Sequence, residues 1–415
     1  MSVVLSCALS DPYLDSQQTA SQRQLAISIQ VAEGDDLGHA PLNLSLILDH
    51  SGSMHGPPLT TVKEAAGQLV DQLSDQDVLS IVVFDHQAKV LLPLQPVSDR
   101  AAIKRRIATL KPSGGTAIDE GMKLGIEEAA QGKQGKVSQL FLLTDGENEH
   151  GDNQRCLKLA QVATEYTLTL NTLGFGDHWN QNILEKIADA GGGTLSYIEA
   201  PEAAVEAFNQ LLTRAQSVFF TNAYLQLTLL PGVRLAELKP IAQVAPETIE
   251  LPYLQEGNEV LVRLGDLMME TPKAVLANLY IGAQGEGEFP VVKATVRYDA
   301  PAQDQTGLQS EMVTISATAQ SLYQPAPDQQ VQKHVLTLAK YRQTQIAEQK
   351  LAKGDRQGAA TLLQSAAKTA LQMGDQGAAT VLQENATRLQ TGEELSERDR
   401  KRTRIVSKTT LQSDP

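Results

Sequence analysis

The spacing of apolar residues changes character along the chain, and each change marks a different kind of element. Between residues 22 and 32 the period is two, with Leu25, Ile27, Ile29 and Val31 on one face, which predicts a half-buried strand. From residue 44 the alternation gives way to mostly apolar runs at 44–48, 81–84 and 139–143. Runs of that length, bounded by turn residues, predict strands covered on both faces. Helical stretches at 59–73, 117–130, 182–190 and 202–215 lie between or after such strands, so residues 41–216 read as an α/β unit. Beyond residue 217 period two returns, in Leu225, Leu227 and Leu229 and then at 258–264, 274–281, 291–298 and 311–319. Repeated short amphipathic strands predict an antiparallel sandwich over 217–325. The strand region within residues 1–40 is too short to fold alone. It is expected to complete that sandwich, with the α/β unit inserted between the two parts.

From residue 326 the pattern is helical, with Val331, Val335, Leu338 and Tyr341 at helix spacing. An internal repeat follows: the segment starting Gly354-Asp355 recurs from Gly374-Asp375. Each Gly-Asp ends one helix and caps the next, which predicts a helical hairpin or three-helix unit over 326–395. Residues 396–415 are polar and read as a flexible basic tail. The expected fold class is therefore α/β: a doubly wound, mostly parallel, Rossmann-like sheet inserted in an antiparallel β-sandwich, followed by a small α-helical C-terminal region.

Candidate chemistry gathers where the buried strands stop. Asp49-His50-Ser51-Gly52-Ser53 follows the first apolar run and places Asp49, Ser51 and Ser53 at i, i+2, i+4. A tight turn can converge their oxygens on one point, with Gly52 giving the backbone freedom to make it. Oxygen-only donors with a single formal charge suit a hard divalent cation rather than zinc or copper. Ser113-Gly114-Gly115-Thr116 offers the Thr116 hydroxyl from a second loop, and Thr144-Asp145-Gly146-Glu147 ends another buried strand in an acidic turn. In a parallel sheet such ends share one edge, where open α/β sheets place their ligands. Asp49, Ser51, Ser53, Thr116 and Asp145 are thus candidates for one metal site.

On these residues the chain resembles the von Willebrand factor type A (VWA) domain with its metal-ion-dependent adhesion site (MIDAS). The family's Asp-x-Ser-x-Ser, distal Thr and distal Asp match Asp49, Ser51, Ser53, Thr116 and Asp145 without substitution. The likeness covers roughly residues 41–216. Its wording is closest to bacterial members and to those paired with a β-rich module like that of inter-alpha-trypsin inhibitors. The resemblance implies that Asp49, Ser51, Ser53 and Thr116 hold the metal directly or through water, with Asp145 behind them. It also implies Mg²⁺ as the usual ion, with Mn²⁺ or Ca²⁺ as alternatives, and an Asp or Glu of a partner protein completing the metal's shell.

Composition agrees with a globular chain: 415 residues, 41% hydrophobic and 20% charged. The net charge of −14 argues against nucleic-acid binding, which needs a basic face. Cys7 and Cys156 are the only cysteines, so there is no disulfide framework, and they could pair only if the fold brings them together. No apolar run reaches the ~18 residues of a membrane span. Residues 1–7 lack the basic flank and apolar core of a signal peptide, so a cytoplasmic location is expected.

Enzymatic readings find little support. There is neither a GxSxG elbow, nor a GxxxxGK[ST] loop, nor a GxGxxG turn, and Gly191–Gly193 follows a helix rather than opening one. A metal between Asp49 and Asp145 would keep both ionised, which suits binding rather than proton transfer. His50 is expected to point sideways in a structural or solvent-facing role. The expected function is a non-enzymatic, metal-dependent protein–protein interaction module. Alternatives are an accessory subunit of an ATPase or chelatase, or a structural, self-assembling protein with a purely stabilising metal. The tail adds a separate idea. Residues 396–410 carry six Lys/Arg against two acids and include Thr403, Ser407, Thr409 and Thr410, which would suit a kinase and a phosphothreonine-binding partner.

Overall fold

The computed structural model describes residues 2–32, 39–176 and 179–408. The strand Leu42–Asp49 is buried at every position and lies at the centre of a six-stranded sheet. The order is Ala88–Pro96, Val78–Phe84, Leu42–Asp49, Val137–Thr144, Thr169–Phe175, Gly192–Ile198. Every pairing is parallel except the first, an antiparallel edge hairpin. Helices cover both faces, which is why these strands show no alternation. Leu46 faces a layer built by α1 (Pro57–Gln72), α2 (Arg100–Ala108) and a later helix containing Phe208. Its neighbour Ile47 faces α3 (Ile118–Gln131), α4 (Asn153–Glu165) and α5 (Gln181–Gly191). The Phe208 helix, α6 (Ala204–Gln216), closes the unit.

The unit is inserted in a two-sheet sandwich. Ala20–Ala32 pairs antiparallel with Lys273–Gly282, a strand that comes after the insertion, and Ser2–Leu9 extends the same sheet. Tyr13–Asp15 instead joins the other sheet, parallel to Val313–Gln320. The N-terminal segment thus supplies three strands to two sheets, where the pattern of residues 22–32 announced one. Ser2–Leu9 lacks clean alternation and Tyr13–Asp15 has only three residues, too few to register as a period. Between the sheets Leu25, Ile27, Ile29 and Val31 meet Leu225, Leu227, Val292 and Val296.

Insertion and sandwich meet at the amino ends of the parallel strands, through polar groups. The buried Asp266 carboxylate accepts hydrogen bonds from Gln139 Nε2 (2.7 Å) and Thr169 Oγ1 (2.8 Å). Beside it Lys273 is buried and donates to the Leu264 carbonyl. Burial pulls the Lys273 ammonium down from 10.5 to about 8, with Asp266 and Glu247 opposing the shift and Arg214 and Arg263 adding to it. The folded chain therefore gives up this proton more readily than the unfolded chain. Between those two values the unfolded state binds more protons, so stability rises with pH. The half-buried thiol Cys7 and the buried thiol Cys156, which desolvation pushes to about 11 and about 12, act oppositely, but only above about pH 9. From about pH 8 to about pH 9 urea denaturation should show wild type gaining about 1 kcal/mol relative to Lys273→Met. Parallel pH profiles would contradict the assignment.

The C-terminal helices begin with α7 (Gln329–Ala352), whose Val331, Leu338 and Tyr341 pack on Ala242, Val244 and Leu276 of the sandwich. α8 (Arg356–Gln372) and α9 (Gln376–Gln390) follow the repeat, and Asp355 and Asp375 cap them by accepting from Gly358 N (2.8 Å) and Ala378 N (3.0 Å). The flexible tail expected from residue 396 is instead helical: α10 spans Glu397–Lys408. It packs on α9 and α7 and is tied to α5 by ion pairs of Arg404 and Lys408 with Glu185 and of Lys408 with Asp189, and to Glu199, just past the strand Gly192–Ile198, by Arg398. Lys401 Nζ lies 4.2 Å from the centroid of the Trp179 ring. Charge and cation–π contacts hold this helix, so no apolar stripe announced it. Thr403 is buried, accepting from Asn385 Nδ2 (2.7 Å), and Ser407 is buried too, so neither is open to a kinase in this fold. Thr409 and Thr410 lie outside the described residues. Cys7 and Cys156 are free thiols, and no helix among the described residues is long and apolar enough to cross a membrane.

Candidate metal centre

Three loops at the carboxyl edge of the parallel sheet bring the five candidate residues together. Asp49 is the last residue of its strand, and its carboxylate is fully buried. One oxygen accepts from Ser51 N (2.7 Å) and the other from Thr144 Oγ1 (2.5 Å). Burial pushes the Asp49 carboxyl up to about 6; the bonds from Thr144 and Ser51 act against that shift and the nearby Asp145 adds to it. No cationic side chain pairs with Asp49 among the described residues. A charged group left this way in the interior favours a cation beside it.

From Asp49 the polar atoms run in a chain. Ser51 Oγ lies 3.0 Å from Ser53 Oγ, which donates to Asp145 Oδ1 at 2.7 Å. Thr116 is buried on the second loop. A methyl group added at Gly146 would lie 3.3 Å from Thr116 Oγ1 and 3.9 Å from Ser53 Oγ, so both hydroxyls border one small space beside that glycine. The loops are knitted by backbone bonds: Gly52 N donates to Gly114 O (3.0 Å) and His150 N to Thr116 O (2.9 Å). A Cβ at Gly52 would stand only 3.3 Å from the Gly114 carbonyl, so a side chain there would press on this close approach of the two loops.

Two residues were not singled out from the sequence. Thr144 orients Asp49 and in turn accepts from Gly146 N (3.2 Å). Its signal was a hydroxyl directly before the acidic turn. Asp85, at the end of the neighbouring strand, is buried with Oδ2 3.9 Å from His50 Nε2 and Oδ1 3.2 Å from His86 Nδ1. His50 itself is buried rather than solvent-facing. Its Nδ1 is 3.0 Å from the Lys111 carbonyl, and burial holds its pKa below the usual histidine value, so it braces the loops in neutral form. Among the described residues no three His, Cys, Asp or Glu side chains gather as a metal site, so the candidate donor set is the hydroxyl-rich one. Asp177 and His178, beyond the strand Thr169–Phe175, lie outside the described residues.

Comparison with known proteins accounts for both halves of the arrangement. Residues 43–211 match the von Willebrand factor type A domain family, and residues 329–413 match the family described as Sll0103-like, C-terminal alpha-helical domain. The chain is 57% identical over 412 residues to the uncharacterized protein sll0103 of Synechocystis, covering 99% of this chain and 98% of that one. It is 30% identical over 228 residues to the human inter-alpha-trypsin inhibitor heavy chain H4, covering 48% of this chain and 24% of that one. The solved structure of the von Willebrand factor type A protein from Catenulispora acidiphila shares the whole fold, with a TM-score of 0.82, 18% identity and 99% and 97% of the two chains covered.

Proposed function

Because the chain belongs to the von Willebrand factor type A domain proteins, with an Sll0103-like helical C-terminus, we propose that it is a non-enzymatic, metal-dependent protein-interaction module. The observation that carries this reading is the convergence of Asp49, Ser51, Ser53, Thr116 and Asp145 from three loops onto one buried, cation-poor edge. Asp49, Ser51, Ser53 and Thr116 would hold a divalent ion, and Asp145 would hold the Ser53 hydroxyl in place through the bond it already accepts. Oxygen donors of this kind suit Mg²⁺, with Mn²⁺ or Ca²⁺ as substitutes. The bound ion would supply an electron-poor coordination position for an Asp or Glu of a partner protein. The site's own side chains argue for binding over catalysis. Neither serine is hydrogen-bonded to a histidine among the described residues: Ser51 meets Ser53, Ser53 donates to Asp145, a carboxylate the cation would hold in its weakly basic ionised form, and His50 is turned to Lys111.

The test is capture of partners from native lysate by wild type and Asp49→Ala, each with Mg²⁺ and with EDTA. A partner retained only by wild type with Mg²⁺ is expected. Equal recovery under all four conditions would refute metal-dependent binding.

A further inference from the structure

A cleft of about 330 Å³ lies beside the metal loops, walled on one side by the α/β unit and on the other by the C-terminal helices. Glu147, two residues beyond Asp145 on the same loop, lines it, so one loop serves both the cleft and the candidate metal edge. Its apolar lining includes Trp179 from the first wall and Leu351, Ala352 and Leu395 from the second. Its charged lining is acidic on balance, with Glu147, Glu348 and Glu397 against Arg400 and Arg404. Arg404 is already tied to Glu348 (2.7 Å) and Glu185 (3.3 Å). Glu147 and Glu397 are exposed and make no ion pair among the described residues. Glu149 and Asp152 add further exposed carboxylates on the same loop as Glu147.

Taking the metal-dependent reading as its basis, we propose that this cleft is the second anchor for the partner. It receives an apolar side chain of the segment whose acidic residue engages the cation, while a Lys or Arg of that segment meets Glu147 and Glu397. The argument is one of charge. A partner needs one carboxylate for the ion, yet further acids would be repelled by the loop and cleft carboxylates, and a base would be attracted. The apolar lining gives the adjoining side chain a surface to leave water for. The Sll0103-like helices then have a direct part in recognition, because α7 and α10 build half of the pocket. Ion pairs along α5 hold that half in place.

Selection from a random dodecapeptide display library on the full chain, in millimolar Mg²⁺, tests this. Wild type should enrich peptides with a single acid, a nearby apolar residue and a Lys or Arg. Ala352→Trp, which fills the cleft from an exposed position, should lose the apolar preference and bind the selected peptides about tenfold more weakly. Glu397→Lys should lose the basic preference, and both variants should keep Mg²⁺ dependence and the single acid. If both variants select the same consensus as wild type at the same affinity, the cleft is not an anchor, although the metal reading stands. If wild type selects no Mg²⁺-dependent acidic peptide, the metal reading fails and the second anchor fails with it.

Discussion

Asp49→Asn is expected to leave the metal-free protein at least as stable as wild type while removing its response to Mg²⁺. The wild-type carboxylate is fully buried, has two hydrogen-bond donors, Ser51 N and Thr144 Oγ1, and has no cationic partner among the described residues. Two neutral donors do not replace the hydration of an ion, so the metal-free fold carries an uncompensated charge. Asparagine keeps the shape and an acceptor oxygen but removes that charge. The gain should be about 1–3 kcal/mol in EDTA, read as a higher unfolding temperature. With a thousandfold excess of Mg²⁺ over its dissociation constant the order should reverse. Wild type would gain about 4.1 kcal/mol from binding alone, roughly 8–16 °C for a unit of this size, and the variant nothing. If Asp49→Asn gains as much as wild type from Mg²⁺, Asp49 is not a ligand. If wild type gains nothing, the site does not take this ion.

This prediction separates what the residue does for the fold from what it does for binding. A group kept for stability loses stability when replaced by its neutral isostere. Asp49 is expected to behave oppositely, because its environment suits the metal-loaded state rather than the empty one. Thr144 belongs to the same design, since its hydroxyl fixes the Asp49 oxygen that Ser51 N does not.

The parts of this molecule that could be read from sequence are those where one local pattern has one physical cause. Leu46 and Ile47 lie in an apolar run because each packs on a different helical layer, and the run says so directly. Asp49, Ser51 and Ser53 are close in the chain and share one turn, so their convergence was visible. Asp145 required only that parallel strands end at one edge, whereas Thr116 sits on a loop between α2 and α3 that reaches the same edge through the bond from Gly52 N to Gly114 O. What stayed hidden depends on distant partners. Thr144 is an ordinary strand-end hydroxyl until Asp49 is placed beside it. Helix α10 has the composition of a solvated tail, and partners far away in the chain make it a packed element: Trp179, Glu185, Asp189 and Glu199 some two hundred residues earlier, and Lys340 of α7. Tyr13–Asp15 is a strand only because Val313–Gln320 offers it an edge.

The internal repeat shows the same boundary, and it leads to the second large effect. Asp355 and Asp375 occupy equivalent positions and both cap helices, so sequence alone assigns them equal value. Their surroundings differ. Asp355 is exposed and pairs with the exposed Lys350. Asp375 is buried and its Oδ2 accepts from Lys340 Nζ at 2.9 Å, a side chain with no exposed surface that also donates to the Val406 carbonyl of α10 at 2.9 Å. Removing one partner of such a pair strands a charge in the interior. Asp375→Ala should therefore cost about 3–5 kcal/mol, enough to unfold the helical unit first and free α10 from α5. Asp355→Ala should lose only an exposed cap and an exposed ion pair and unfold close to wild type. Hydrogen exchange over residues 397–408 reads the difference, with rapid exchange expected for Asp375→Ala alone. The double variant Lys340→Met with Asp375→Asn removes both charges and keeps a capping oxygen, so it should recover most of the lost protection. Equal protection in the two single alanine variants would mean that the buried pair does not hold α10. Failure of the double variant to recover would assign the loss to packing around Lys340 rather than to its stranded charge.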